Sequence, residues 1–407
     1  MRYDGIVIGG GPAGMFAAIT AAEKGSRVLL LERNERLGKK LLITGKGRCN
    51  VTNNCDVQEV LRNIPRNGRF LYSALDALPP QAVMAFFEKN GCPLKTERGN
   101  RVFPVSDKSQ SVLDCLKNVL RRHSVTVRTA RVQEILTENG EVVGVRTENE
   151  RIEADWVILA TGGLSYPTTG STGDGFAMAA ALGHTVTATE GSLVPLEIAG
   201  RDCPDMQGLS LRNVGVKLLN EKGKLLYRDF GELLFTHFGV SGPTVLSASA
   251  HLKGSCCLVL DLKPALEENK LNDRILRDLE MYQNRSMENA LTDLLPRSMI
   301  PVVLRRLDVD PALQANSLTR QKRRALVELL KGFVLMIDGK RPVEEAIITS
   351  GGVKVSEIDP KTMQSKLVPG LYFAGEIIDC DAYTGGFNLQ IAWATAYAAG
   401  NAVKKTH

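Results

Sequence analysis

No apolar run in the chain approaches the ~20 residues that a membrane-spanning helix needs, so a hydrophobic anchor is not expected. The opening Met-Arg-Tyr-Asp lacks the basic-then-apolar pattern of a secretory leader, because glycines break the apolar segment early. A cytoplasmic protein is therefore expected. The eight cysteines (49, 55, 92, 115, 203, 256, 257 and 380) contain no Cys-x-x-Cys and no metal-like Cys/His spacing. They read as free thiols and small apolar residues, and neither a metal centre nor a disulfide framework is expected. Repeats with a period of roughly 33–45 residues and low-complexity tracts are also missing.

What is present is a chain of 407 residues, 43% hydrophobic and 24% charged, the balance of a globular protein. That length exceeds one ordinary core and implies two or three domains. The net charge is +6, with the densest basic clusters at Arg121-Arg122-His123 and Lys322-Arg323-Arg324. Such runs are usually solvated helix faces; an acidic or nucleic-acid partner is the alternative reading.

The chain is organised around residues 4–32. Gly5 to Gly9 is a short β-prone run, and it enters Gly9-Gly10-Gly11-Pro12-Ala13-Gly14. A small apolar helix-like stretch follows, and then Arg27-Val28-Leu29-Leu30-Leu31-Glu32. Glycines at 9, 11 and 14 have the dinucleotide-binding spacing. The first allows a tight turn, the second close backbone approach to a pyrophosphate, and the third close packing of helix on strand. The helix start offers free N–H groups and a positive dipole end to phosphates. Glu32 ends the second strand, where a carboxylate accepts from ribose hydroxyls and repels a 2′-phosphate.

Downstream, Arg33 to Lys40 is a charged loop. Leu41 to Asn53 reads as irregular chain, with Gly45-Lys46-Gly47-Arg48 forming a cationic backbone nest suited to an anionic ligand. Helices are expected over 57–63, 71–78 and 80–90, a hairpin over 94–104, a helix over 109–123, a strand over 125–128 and a β-meander over 130–153 turning at Asn139-Gly140. The strand at 155–163 ends in Ala160-Thr161-Gly162, small enough for backbone to pass under a cofactor. A polar loop, 164–175, then opens a helix at 176–182. From 185 to 262 short β-prone runs replace helical periodicity, and 264–331 is helical and charged; together they read as an insertion into the first domain. Near the end, Gly370-Leu371-Tyr372-Phe373-Ala374-Gly375-Glu376 is a strand with an acid just past it. Gly385-Gly386-Phe387-Asn388 then opens an alanine-rich helix. These three strand ends and the last helix share one logic, a single long cofactor crossed by backbone at each. Only one strand–GxGxxG–helix unit occurs, so a separate nicotinamide domain is not expected.

On these segments the chain resembles the two-dinucleotide-binding-domain flavoproteins, and within them the HI0933-like NAD(P)/FAD-dependent oxidoreductases. The resemblance is carried by Gly9 to Gly14, Gly45 to Asn50, Ala160 to Ser165, Leu234 to Pro243, Thr349 to Val353, Gly370 to Glu376 and Gly385 to Asn388. It implies an α/β fold, a Rossmann-like FAD-binding domain interrupted by an inserted β-barrel plus a helical subdomain. The boundaries that follow are 1–188 and 338–407 for the FAD domain, 189–263 and 332–355 for the barrel, and 264–331 for the helical part, with 338–355 shared.

Noncovalent FAD is the implied cofactor, with NAD(P)H docking transiently as reductant. The implied cofactor contacts are Gly9, Gly11, Pro12, Ala13, Gly14, Glu32, Arg33, Lys40, Gly45, Gly47, Arg48, Cys49, Asn50, Ala160, Thr161, Gly162, Gly375, Glu376, Asp379, Gly385, Gly386, Phe387 and Asn388. Many flavoproteins carry Asp after the glycine where Glu376 stands, so either Glu376 or Asp379 could reach the ribityl chain. Tyr166 in the polar loop and His237 before a Gly/Ser/Pro turn are the candidate proton donors; a packed or capping histidine is the plainer reading of the latter. The implied activity is hydride transfer to a conjugated C=C, in an unsaturated 3-keto steroid such as a bile acid or in uridine of ribosomal RNA. The alternatives are a redox sensor, or an accessory protein of RNA modification without reductase turnover. Oligomeric state is not legible.

Overall fold

The computed structural model describes residues 3–404. The chain divides into two compact units, Met1–Ser192 with Val343–His407, and Leu193–Pro342.

The first unit is built on a five-stranded parallel sheet. Its strands are β1 (Gly5–Ile8), β2 (Val28–Glu32), β3 (Thr126–Thr129), β4 (Trp156–Leu159) and β5 (Leu371–Phe373), in the order β5-β4-β1-β2-β3. Gly5 pairs with both Trp156 and Val28, which brings the carboxyl ends of β1, β2 and β4 level. The strands β1, β2, β4 and β5 are buried along their whole length, the continuous apolar pattern of parallel strands covered on both faces.

Two helices cover one region of this sheet, α1 (Pro12–Glu23) and α3 (Phe387–Ala402), and they pack on each other. Both are apolar on all sides, as fully buried helices are. A Cβ on Gly400 would sit 2.8 Å from Ala17 O, so the glycine permits this close approach. Beside it Phe16, Phe86, Phe87 and Trp393 form an aromatic cluster, with neighbouring ring centroids 4.8–5.6 Å apart. Trp393 is fully buried and donates Nε1–H to Val51 O at 2.9 Å.

The expected meander is present as Val132–Glu138, Glu141–Thr147 and Arg151–Glu153. Asn139 and Gly140 have φ of 53° and 81°, which suits the tight hairpin turn. The segment expected to be irregular after Lys40 instead starts with a helix, Lys39–Ile43, and a 3-10 turn, Thr44–Gly47. Burial of Leu41 anchors that helix, so tertiary packing overrides weak local propensity there. The helix after the polar loop, α2 (Asp174–Ala181), starts two residues earlier than expected. Glu190–Ser192 and Ile348–Ser350 pair antiparallel with each other as a separate ribbon within the first unit. They are not barrel strands, although the expected barrel limits of 189 and 355 include them.

The second unit contains a closed antiparallel barrel of six strands, in the order Leu196–Ile198, Gly239–Ser241, Leu225–Phe235, Ser210–Asn220, Cys256–Asp261 and Phe333–Lys340. Alternate residues such as Val214, Val216, Leu218, Leu258, Leu260, Phe333 and Leu335 fill its interior. Between the last two barrel strands run the helices Glu268–Met281, Met287–Ala290, Ile300–Arg306 and Arg320–Lys331. Their buried stripes include Leu271, Ile275, Leu326 and Leu330. The Rossmann-type sheet with an inserted antiparallel barrel is thus the α/β architecture that the resemblance implies.

Candidate cofactor site

A cleft in the first unit opens at the carboxyl ends of β1, β2, β4 and β5, the usual ligand position in an open α/β sheet. It holds about 1360 Å³ of non-atom space, its solvent-open part included. The glycine turn forms one wall. Gly9 has φ 108°, and a Cβ there would lie 2.4 Å from Ala160 O; a Cβ on Gly14 would lie 1.8 Å from Gly9 O. Both positions therefore tolerate only glycine. Gly11, the N-cap of α1, is different, since a Cβ there would meet nothing within 4 Å. The approach to the start of α1 is thus open at Gly11, and a helix start is where an anion is favoured.

Glu32 is 9% exposed and holds this turn together. Its Oε2 accepts from Gly10 N at 2.6 Å, and its Oε1 accepts from Asn34 N at 2.8 Å and Asn34 Nδ2 at 2.7 Å. At the cleft edge Arg33 Nη1 and Arg131 Nε each lie 3.1 Å from Asp174 Oδ2. Burial pushes the Asp174 carboxyl up, but the Thr172 hydroxyl and the two arginines outweigh it and hold the carboxyl below its usual range. Also in the cleft, Lys40 Nζ lies 2.5 Å from Glu376 Oε2 and 2.6 Å from Ser165 Oγ. Asn388 fixes the entry to α3, accepting from Ala382 N at 2.8 Å and donating to Ala382 O at 2.7 Å.

Of the residues that the sequence nominates, Gly9, Gly11, Pro12, Ala13, Glu32, Arg33, Lys40, Ala160, Thr161, Gly162, Gly375, Glu376 and Asn388 line this cleft. Gly14 lies beneath it. Arg48 turns elsewhere: Nη2 lies 2.5 Å from both Glu97 Oε1 and Asp107 Oδ1, and the guanidinium stacks 4.1 Å above the Phe103 ring. Gly45 and Gly47 have φ of 56° and 82° beside it. Cys49 is fully buried, which pushes its thiol up to about 12; a thiol so placed is inert. A Cβ on Gly386 would crowd Thr52 O at 2.4 Å and Asn50 Oδ1 at 3.0 Å, so Asn50 and Gly385–Gly386–Phe387 belong to one packed corner. Asp379, 4% exposed, pairs with Arg66 Nε at 2.6 Å. Of the two acids left open by the sequence, Glu376 is the one in the cleft.

Tyr166 is half-buried in a left-handed conformation (φ 53°), directly after Ser165. Burial and then the Glu345 charge push its phenol up. His237 is exposed on the second unit, edge-on to Phe238. Sequence reasoning missed Asn34, Lys39, Thr44, Arg131, Val132, Ser171 to Asp174, and Leu389, which also line the cleft. Arg131 had a usable signal, because it follows the carboxyl end of β3.

The cleft fits a dinucleotide by its own features. Gly11 leaves an open approach to α1, and Thr161 Oγ1 is buried in the lining without a protein partner. Gly175, where a Cβ would lie 1.9 Å from that oxygen, makes room for it. Among the described residues no group of acids, histidines and cysteines could hold a metal ion, and no helix is long and apolar enough to cross a membrane.

The model of the HI0933-like protein Rossmann domain matches residues 3–402. The chain belongs to the HI0933-like family. This is a family of FAD-dependent oxidoreductases. Among its relatives is the 3-dehydro-bile acid delta(4,6)-reductase of Clostridium scindens, 32% identical over 97% of this chain and 98% of that protein. Another is the ribosomal RNA dihydrouridine synthase of Escherichia coli, 30% identical over 98% of this chain and 97% of that protein. Among solved structures, 3-ketosteroid delta1-dehydrogenase from Sterolibacterium denitrificans matches with a TM-score of 0.52, covering 98% of this chain and 99% of that one at 13% identity. At that identity the likeness concerns the fold.

Proposed function

We propose that the chain is an FAD-dependent reductase that saturates a conjugated C=C next to a carbonyl, with NAD(P)H as a transient reductant. The observation that carries this reading is the cleft, which runs from Glu32 past Gly11 and Thr161 to Glu376 and Asn388 and has the features of a dinucleotide site. The two full-length relatives named above support the acceptor class, since a delta(4,6) bile-acid enone and the uracil ring both carry such a bond. Bound noncovalently, FAD supplies the hydride chemistry.

The residues of the chain do the rest. The first turn of α1 binds the diphosphate, and Glu32 shapes the glycine turn and accepts from ribose hydroxyls. Lys40, Ser165 and Glu376 form the ion-pair cluster of the cleft. Asn388 fixes the start of α3. We assign the proton donor to Tyr166 over His237. Its phenol, held up by burial, stays protonated at neutral pH and can give its proton to the carbon opposite the hydride. Its neighbour Ser165 is already part of the cleft's ion-pair cluster.

Anaerobic mixing with NADH or NADPH tests this reading. The yellow protein should bleach with at least one of them, then reoxidise on adding an unsaturated 3-keto steroid or a uridine-containing ribosomal RNA fragment. Loss of one dihydrouridine from ribosomal RNA in a deletion strain would select the RNA acceptor. A flavin that stays oxidised with both nicotinamides would overturn the reductase in favour of a redox sensor or an accessory protein.

A further inference from the structure

Three side chains far apart in sequence meet at one point of the cleft. Lys40 Nζ donates to Ser165 Oγ and to Glu376 Oε2, at 2.6 and 2.5 Å. Ser165 Oγ in turn donates to Glu376 Oε1 at 2.9 Å, and Thr349 N donates to the same oxygen at 2.9 Å. The ion pair is well covered, with the Lys40 and Glu376 side chains 19% and 12% exposed. Glu376 therefore already accepts three donors, whereas an ammonium carries three protons of which two are used here. Among the described residues Lys40 has no third acceptor.

The position of this cluster says what that proton faces. Glu376 follows Gly375, where a Cβ would lie 2.7 Å from Ala13 Cβ. The strand end that carries Glu376 thus packs against the first turn of α1, and Lys40, Glu376 and Gly11 line the same cleft. A carboxylate alone at that place would repel an anion bound to the helix start. Lys40 neutralises that charge and keeps one donor for the ligand.

We infer that Lys40 is the counter-charge for the diphosphate of the cofactor, and that Glu376 is a positioning residue that holds the ammonium in place rather than a ribityl acceptor. This rests on the dinucleotide reading above. The short helix Lys39–Ile43 is what delivers the side chain, and its start is tied down by Gly38 N donating to Gly10 O at 2.9 Å. The diphosphate site is then one assembly in which the glycine turn, the Lys40 helix and the strand end at Gly375 depend on one another.

Calorimetric titration of the full flavin-stripped chain with FAD, ADP and adenosine tests this. In the wild type, ADP should bind much more tightly than adenosine, and increasing salt should weaken ADP alone. Lys40→Met should weaken ADP and FAD at least about tenfold, the scale of a lost charge-assisted hydrogen bond, and leave adenosine unchanged. Lys40→Met combined with Glu376→Gln should recover part of that loss, because the unpaired carboxylate is gone. If Lys40→Met does not fold, Lys40→Gln is read in the same way. Equal loss for ADP and adenosine, or no loss for either, overturns the inference. A wild type that binds ADP but not FAD overturns the flavin reading and leaves this one standing.

Discussion

The carboxylate of Glu32 accepts a 2.6 Å hydrogen bond from the backbone N–H of Gly10, across 22 residues of chain. The acid at the end of β2 therefore organises the glycine turn as well as facing the cleft. Glu32→Ala removes the acceptor for Gly10 N and for both Asn34 donors. We expect a loss of about 2 kcal/mol in urea unfolding, the cost of leaving buried donors unsatisfied, together with weaker FAD binding. Glu32→Gln should keep most of the stability, because its amide oxygen still serves Gly10 or Asn34.

Gly11 and Gly14 belong to one motif but answer to different constraints. Gly14→Ala puts a methyl group 1.8 Å from Gly9 O and should cost about 3 kcal/mol or more through overpacking. Gly11→Ala meets nothing in the protein and should cost under about 1 kcal/mol, the scale of an N-cap change. It should nevertheless weaken FAD binding about tenfold or more, since the methyl group occupies the approach to α1. Thermal melts and flavin fluorescence titration of the pair separate the two roles.

These two residues show what the sequence makes legible. Glycine spacing, a strand end and an acid at the right distance are local patterns, and the cleft wall they predict can be written down from 29 residues. Lys40 and Glu376 are each legible as cofactor contacts, but their pairing is not, because the two are 336 positions apart. Arg48 shows the converse. Its cationic, glycine-rich surroundings suggest an anionic ligand, yet Glu97 and Asp107, 49 and 59 residues away, claim its guanidinium. The Lys39–Ile43 helix was hidden for a related reason, since burial of Leu41 rather than propensity sustains it. The alternation of strands and helices showed the parallel sheet and the inserted antiparallel part because period and composition change where the architecture does.

Tyr166→Phe tests the proton donor. Stopped-flow should show flavin reduction by NAD(P)H unchanged and the oxidative half-reaction with the acceptor slowed about 100-fold, the usual scale of one general acid. An equal effect on both half-reactions would instead indicate that Tyr166 shapes the cleft.

Asp381 is 2% exposed and accepts from Ser192 Oγ and Ser350 Oγ, both at 3.0 Å. Burial pushes its carboxyl up, outweighing those two donors and the Arg66 charge, with Asp379 adding to the rise. The folded protein thus holds this proton more tightly than the unfolded chain. Its contribution to stability is greatest below the unfolded value of about 4, falls as pH rises through the folded value, and is flat above it. Asp381→Asn should remove that slope. Denaturant unfolding at a series of pH values from about 4 upward, compared with wild type, measures it.

The strand Leu371–Phe373 lies beside Trp156–Leu159, and α3 lies against α1, so the cleft is assembled from segments synthesised before and after Leu193–Pro342. The whole of Leu193–Pro342 emerges before its closing strand exists. A nascent chain arrested before residue 371 therefore carries the glycine turn and Glu32 without Gly375, Glu376 or α3. Flavin uptake should therefore wait until α3 has been synthesised.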